Sequence, residues 1–173
     1  MPTEDSHFDP TTHRLADNRW FEDFSVGESF PVPSRTMTDA LFAAFQLASG
    51  DNHPIHYDSE YCRLRGYPGL LAHGMQVFIQ TAAGAGLFPH VVDDSLVAFT
   101  EASCRFLAPV FVGDTVYPNL KITELVPQNS TGIVVMRTTV HNQKSQLVMD
   151  GEHKYVIRKR PTSVPSLHPK VRS

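Results

Sequence analysis

The sequence predicts an α+β fold in which an antiparallel β-sheet wraps around one long, hydrophobic central helix. Two observations carry that prediction. Residues Met75 to Phe88 include no charged side chain, and a helix apolar on every face is buried nearly all round. From Ser95 onward the hydrophobic period switches to two, in stretches separated by turn residues, as strands with one covered face require. A hydrophobic helix followed by consecutive strands packs as a sheet against that helix.

Taken in order, residues 1–19 are polar without a sustained period and read as a flexible N-terminal arm. Trp20 to Phe30 is aromatic and strand-like around a turn at Gly27. Thr36 or Thr38 caps a helix whose apolar positions Leu41, Phe42, Phe45 and Ala48 recur at three and four, and Gly50 ends it in a left-handed conformation. Asp58 is the N-cap of a short helix through Tyr61 and Leu64, closed by Gly66 and Pro68. The Met75–Phe88 helix contains Ala and Gly positions that let strands approach its backbone. Each glycine there costs about 1 kcal/mol of helix propensity, so packing explains them better than accident. Pro89 stops the helix.

Four strands follow. Val97 to Leu107 presents Ala98, Ala102, Cys104 and Phe106 on one face, small or apolar enough to lie against a helix. Val116, Leu120, Ile122 and Val126 alternate with polar residues, with Pro118 marking an edge or a bulge. Ile133 to His141 and Leu147 to Ile157 are joined by the turn Asn142-Gln143-Lys144-Ser145. Three prolines among Arg160 to Pro169 then describe a tail lying on a surface. The domain is therefore residues 20–158, flanked by the arm and by a C-terminal tail, residues 159–173.

At 173 residues and 19.3 kDa, the chain suits one domain. Apolar residues at 41% and charged residues at 19% fit a folded protein with a sizeable core. A net charge of −3 excludes a strongly basic nucleic-acid binder. No apolar run approaches the roughly 20 residues that cross a bilayer. The acidic, polar start is unlike a secretory or transit peptide, so a cytoplasmic protein is expected. Cys62 and Cys104 make no disulfide framework and read as reduced thiols.

The densest polar cluster is Ser49-Gly50-Asp51-Asn52-His53-Pro54-Ile55-His56-Tyr57-Asp58, a loop between two helices. A carboxylate and an imidazole five residues apart on such a loop can converge on one water molecule. The first accepts its hydrogen bonds, and the second takes or returns its proton near neutral pH. His73-Gly74-Met75 follows, just before the hydrophobic helix. The first amides of a helix lack internal partners, and Gly74 lets a ligand approach them, so a carbonyl oxygen can be polarised there. Together these parts point to water chemistry beside a polarised carbonyl.

With Leu71-Ala72-His73-Gly74-Met75 and Phe106-Leu107-Ala108-Pro109-Val110 leading to Gly113-Asp114-Thr115, that loop resembles the MaoC-like, (R)-specific enoyl-CoA hydratase family. The resemblance spans about residues 20–158 and implies a single hotdog fold. It implies that Asp51 and His56 are catalytic and hold a water. That water adds reversibly across the 2,3 double bond of an enoyl-CoA, an acyl thioester, while the Gly74 amide polarises the thioester carbonyl. His73 and His53 join Gly74 around the substrate, His73 chiefly as a packing or capping residue. No cofactor is implied beyond the coenzyme A of the substrate. One hotdog unit has an open sheet edge, so a homodimer, or a higher homo-oligomer, is expected to line each site from both subunits.

Two positions depart from the family pattern. His53 stands where Asn is usual, and Ala82 where some members place a serine. Arg63 and Arg65 either meet phosphates of coenzyme A or complement the end of their short helix, which is the commoner role. His53, His56 and His73 lie near Asp51 and Asp58 in sequence. Yet no pair sits one helical turn apart and no cysteine pair joins them, so no metal is expected. Two other functions compete. A hotdog acyl-CoA thioesterase usually carries a carboxylate near the central helix, and residues 75–88 have no Asp or Glu. A non-catalytic acyl-CoA-binding subunit would have no need of both Asp51 and His56.

Overall fold

The computed structural model describes residues 8–161; the start of the arm and nearly all of the C-terminal tail lie outside the described residues. Two short strands, β1 (Ser29–Pro31) and β2 (Arg35–Thr36), lead into helix α1 (Asp39–Ser49) and the short helices α2 (Ser59–Leu64), α3 (Gly74–Phe78) and α4 (Phe88–Val91). Four long strands follow: β3 (Leu96–Phe106), β4 (Thr115–Pro127), β5 (Thr131–Asn142) and β6 (Leu147–Arg158). They build one antiparallel sheet in the order β1-β4-β5-β6-β3, with β2 also paired to β4.

Local sequence accounts for most element ends. The Thr38 hydroxyl accepts from the Leu41 amide at 3.3 Å, and Gly50 closes α1 at φ 74° with its own amide donating to Gln46. The Asp58 carboxylate accepts from the Tyr61 amide at 2.9 Å to start α2. In the β5–β6 hairpin, Asn142 Oδ1 accepts from the amides of Lys144 and Gln146, and Ser145 adopts φ 59°. Pro118 lies where the pairing of β1 has ended at Asn119 and that of β2 begins at Val116. The irregular register in β4 falls instead between Ile122 and Glu124.

The α+β architecture holds, but the central helix is shorter than the sequence predicts. After α3 the chain tightens into 3₁₀ turns at Ile79–Thr81 and Ala83–Ala85, with an extended Ala82 (ψ 114°) between them. Pro89 does not stop a helix; it occupies the first turn of α4, where its missing N–H costs nothing. Packing explains the break. A Cβ on Gly86 would stand 3.2 Å from the carbonyl oxygen of Pro31, so this segment lies directly against β1. Nor is the segment covered on all sides within one chain, for Met75, Ile79 and Leu87 are exposed. Trp20 to Phe30 likewise begins as a 3₁₀ turn at Phe21–Asp23, with strand only from Ser29.

Two apolar clusters fill the concave side of the sheet. One packs Phe21, Phe24, Phe30 and Phe88 on Leu120, Ile122 and Ile157; the other packs Met37, Phe42 and Val77 on Val116, Val140 and Met149. Between the helical segment and β6 sits a buried polar trio. The Thr81 hydroxyl donates to the Phe78 carbonyl and so accepts from His153 Nε2 at 3.3 Å. The Tyr155 hydroxyl lies 3.1 Å from His153 Nδ1, and the rings of Phe78 and Phe99 close over the imidazole. Burial pushes His153 down to about 4 and the Tyr155 phenol up to about 12.

Strand β3 forms one edge of the sheet. Register shifts between Leu96 and Ala98 and between Phe99 and Glu101 interrupt its alternation. Ala102, Cys104 and Phe106 keep to one face, opposite His153, Gly151 and Met149, but Ala98 is displaced from it. Phe99 takes that place and stacks on Tyr155 with ring centroids 4.9 Å apart. Among the described residues nothing pairs with the outer side of β3, and Phe99, Phe106 and Leu107 are half exposed.

Candidate active site

The site is assembled where α1 ends. Asp51 and Asn52 follow the left-handed Gly50, and His53 Nδ1 accepts from the Ile55 amide at 3.3 Å, capping a 3₁₀ turn at Pro54–His56. An asparagine cap makes the same kind of bond, so His53 meets the local requirement that Asn would. Its ring also meets the Tyr61 ring edge-on at 5.6 Å. Behind the loop, Cys62 Sγ donates to the Ile55 carbonyl at 3.3 Å, and the Leu71 amide donates to the same carbonyl at 3.1 Å.

His56 is buried, and its Nδ1–H donates to the Leu71 carbonyl at 2.7 Å. That bond fixes the tautomer, because a carbonyl only accepts; the Nε2 of a neutral ring is left with a free lone pair. Burial holds His56 below the ordinary imidazole range, with the neighbouring His73 acting the same way, against opposing contributions from the Leu71 bond and Asp51. The ring is therefore neutral near pH 7 and equipped to accept a proton.

His73 supports both partners. It is 1% exposed, stacks on His56 at 3.6 Å and 21°, and packs against Phe45 at 4.8 Å. Its Nε2–H donates to the Asp51 backbone carbonyl at 3.1 Å, which leaves Nδ1 of a neutral ring as an acceptor; the Gln76 side-chain oxygen lies 3.2 Å from Nδ1, and the amide turned end for end presents its NH2 as the donor there. A ligating atom from each of Asp51, His56 and His73 lies within 4.8 Å of the other two. The geometry thus groups three of the residues singled out in the sequence. His53 stands beside them in a capping role.

A metal fits this group poorly. His56 Nδ1 and both ring nitrogens of His73 already face hydrogen-bond partners, leaving His56 Nε2 and the Asp51 carboxylate as free donors. Two donors fall short of the three protein ligands of a catalytic zinc site. Those same two groups suit a single water molecule.

Gly74 opens α3 directly after His73, and its amide meets no acceptor among the described residues. A Cβ here would stand 3.0 Å from the Phe106 ring, so glycine allows that ring to pack directly on the backbone at the start of α3. A groove of about 360 Å³ runs past it, lined by Leu71, Val77, Phe106, Leu107 and Pro109 among others. Ala82 supplies no hydroxyl to this region, and Thr81 turns its own to Phe78 and His153. The residue that sequence reading missed is Gln76, which is 2% exposed. A polar side chain three positions after His73, within a charge-free segment, was the available signal, since that spacing places both on one helix face.

Comparison with known proteins identifies the family and the fold. Residues 23–145 match the family described as MaoC like domain, and the chain belongs to that family. It is 29% identical over 137 residues to an (R)-specific enoyl-CoA hydratase of Rhodospirillum rubrum, covering 77% of this chain and 88% of that protein. It is 24% identical over 150 residues to a 3-hydroxybutyryl-CoA dehydratase of Methylorubrum extorquens, covering 84% and 88%. Among solved structures, a conserved hypothetical protein of Mycobacterium tuberculosis with a double hotdog fold superposes with a TM-score of 0.71 at 26% identity. That match covers 86% of this chain and 46% of the other. The fold is the hotdog fold, and this chain matches about half of the doubled form.

Proposed function

We propose that this protein is a hydro-lyase that adds water reversibly across the 2,3 double bond of an enoyl-CoA. The observation that carries the reading is the pairing of a tautomer-fixed, neutral His56 with the Asp51 carboxylate, grouped with His73, the residue that immediately precedes Gly74. The hydratase and dehydratase names of the relatives support the same chemistry.

In the hydration direction, Asp51 and His56 Nε2 hold a water against C3 of the substrate. The water oxygen bonds to C3 as Nε2 takes one of its protons, and the double-bond electrons move onto the thioester as an enolate. The Gly74 N–H donates to that enolate oxygen, favouring the charge where it develops. The proton taken from the water is then delivered to C2, which returns His56 to its neutral form and completes the addition, and dehydration runs the same path backward. Coenzyme A enters only as part of the substrate. His73 positions both reacting residues, through its stack on His56 and its bond to the Asp51 carbonyl.

Association of two copies belongs to this reading. Phe106 at the end of the unpaired β3 edge and Leu107 just after it are half exposed and line the Gly74 groove, so a second chain on that edge would wall the site. Sizing at micromolar concentration should give a dimer or larger; a fully active monomer would overturn this part.

Asp51→Asn and His56→Ala test the chemistry. General acid–base groups typically contribute about 10²–10⁴-fold, so each variant should lose at least about 100-fold in 2-enoyl-CoA hydration while keeping its far-UV spectrum. Activity within a few-fold of the parent refutes the assignment. Release of free thiol from acyl-CoA without hydration would favour a thioesterase instead.

A further inference from the structure

Gln76 is buried beside the reacting loop, and the hydration steps make no use of it. A carboxamide taken out of water costs free energy unless its polar atoms find partners. The partner here is the His73 ring, whose Nδ1 lies 3.2 Å from the Gln76 side chain. His53 caps its own turn by accepting a backbone amide at Nδ1, but no backbone amide of α3 reaches the His73 side chain, so that nitrogen is left to Gln76. Gln76 is held in turn, because its backbone carbonyl accepts from Gln80 Nε2 at 2.9 Å.

Packing and hydrogen bonding do different things to this ring. Phe42, Phe45 and His56 surround it and fix where it lies. Only the hydrogen bonds decide which nitrogen carries a proton. Nε2 faces the Asp51 carbonyl at 3.1 Å, and a carbonyl only accepts. With the proton on Nδ1 instead, Nε2 would turn a lone pair on that oxygen, and the Asp51 loop would lose its tie to α3. With protons on both nitrogens, a cation would be stacked at 3.6 Å on the ring that has to accept a proton from water, and like charges so close oppose that step.

We infer that Gln76 is a positioning residue: its side-chain NH2 donates to His73 Nδ1 and locks the imidazole in the uncharged Nε2–H form that ties down Asp51 and lies against His56. For its effect on turnover the inference rests on the proposed hydratase activity. Leucine or methionine at this position would fill the space but leave Nδ1 without a donor.

Proton–nitrogen correlation spectra of the histidine rings in the full chain at pH 7, with the His73 signals assigned through the backbone, read the lock directly. The parent should show His73 Nε2 protonated and Nδ1 bare. In Gln76→Leu and in Gln76→Met, which nearly matches glutamine in length, that pattern should give way to mixed tautomers or a doubly protonated ring. Turnover should follow: kcat for 2-enoyl-CoA hydration should fall about tenfold in both variants, with KM changed less than about twofold, as expected for one buried hydrogen bond that serves the reacting groups and not substrate binding. A parent ring protonated at Nδ1 overturns the inference without any variant, and so does a variant ring that keeps the parent pattern. An altered pattern with kcat unchanged overturns it as well, since the bond would then serve only packing. If the parent hydrates no 2-enoyl-CoA, the hydratase reading fails, and the lock on His73 stands or falls on the spectra alone.

Discussion

His153 ties the stability of this fold to pH. In the unfolded chain its imidazole titrates near the ordinary value, about 6.5. In the fold it is 2% exposed, held between the Thr81 and Tyr155 hydroxyls, and pushed down to about 4. Between those values the unfolded chain holds a proton that the folded chain does not. Stability therefore rises with pH across the window and is lost as pH falls from about 6.5 toward about 4. Integrated, about 2 kcal/mol disappears between roughly pH 7 and pH 5, out of about 3 kcal/mol for the whole window. His56, also depressed by burial, adds a contribution of the same sign. His153→Gln keeps an amide to meet the two hydroxyls but cannot titrate. Urea unfolding of both proteins at pH 7, 6 and 5, at one protein concentration, reads the difference. The variant should be less stable at pH 7 yet lose about 2 kcal/mol less than the parent on going to pH 5. Parallel slopes for the two proteins would refute the reasoning.

Catalysis should follow the same sign at His56: the base works only when neutral, so kcat/KM should fall as pH drops through a value below about 6.5. An acid limb centred above neutrality would contradict the burial argument. Gly151→Ala would bring a Cβ within 2.2 Å of the Ser103 carbonyl oxygen and 2.9 Å of Thr138 Oγ1, so β3 must shift. The expected loss is about 3 kcal/mol in urea unfolding, and less than about 1 kcal/mol would show that the strand yields freely. His53→Asn should preserve both stability and turnover because it keeps the cap, whereas His53→Ala should cost about 1 kcal/mol. A large loss of turnover in His53→Asn alone would show that the ring acts on the substrate.

What the sequence revealed of the fold was what neighbours in sequence decide. Thr38, Gly50 and Asp58 act on their own turns, and the alternation in β4 to β6 follows from burying one face. The break at Ala82 was invisible because alanine favours helix; the cause is the approach of β1 to Gly86, more than fifty positions away in sequence. The displacement of Ala98 is also non-local, since a bulge is defined by the partner strand. In the site, Asp51, His56 and Gly74 were legible as a loop pair and a helix start. The stack of His56 on His73 and the reach of Gln76 to the same ring exist only once the loop is folded back over α3.

The two edges of the sheet are unequal, and that bears on how strands of neighbouring copies could add to it. On one side, β1 and β2 are three and two residues long and split by the stretch opposite Pro118, with Pro31 inside β1 and Pro33 between the two. A neighbouring chain finds few amides there to extend a ladder. On the other side β3 offers eleven residues. Each molecule thus carries one competent edge, and a two-fold pairing across it uses up the competent edge of both partners. If two copies pair across β3, strand addition at that edge is used up in both, and the described residues offer only the short β1 and β2 for any further strand.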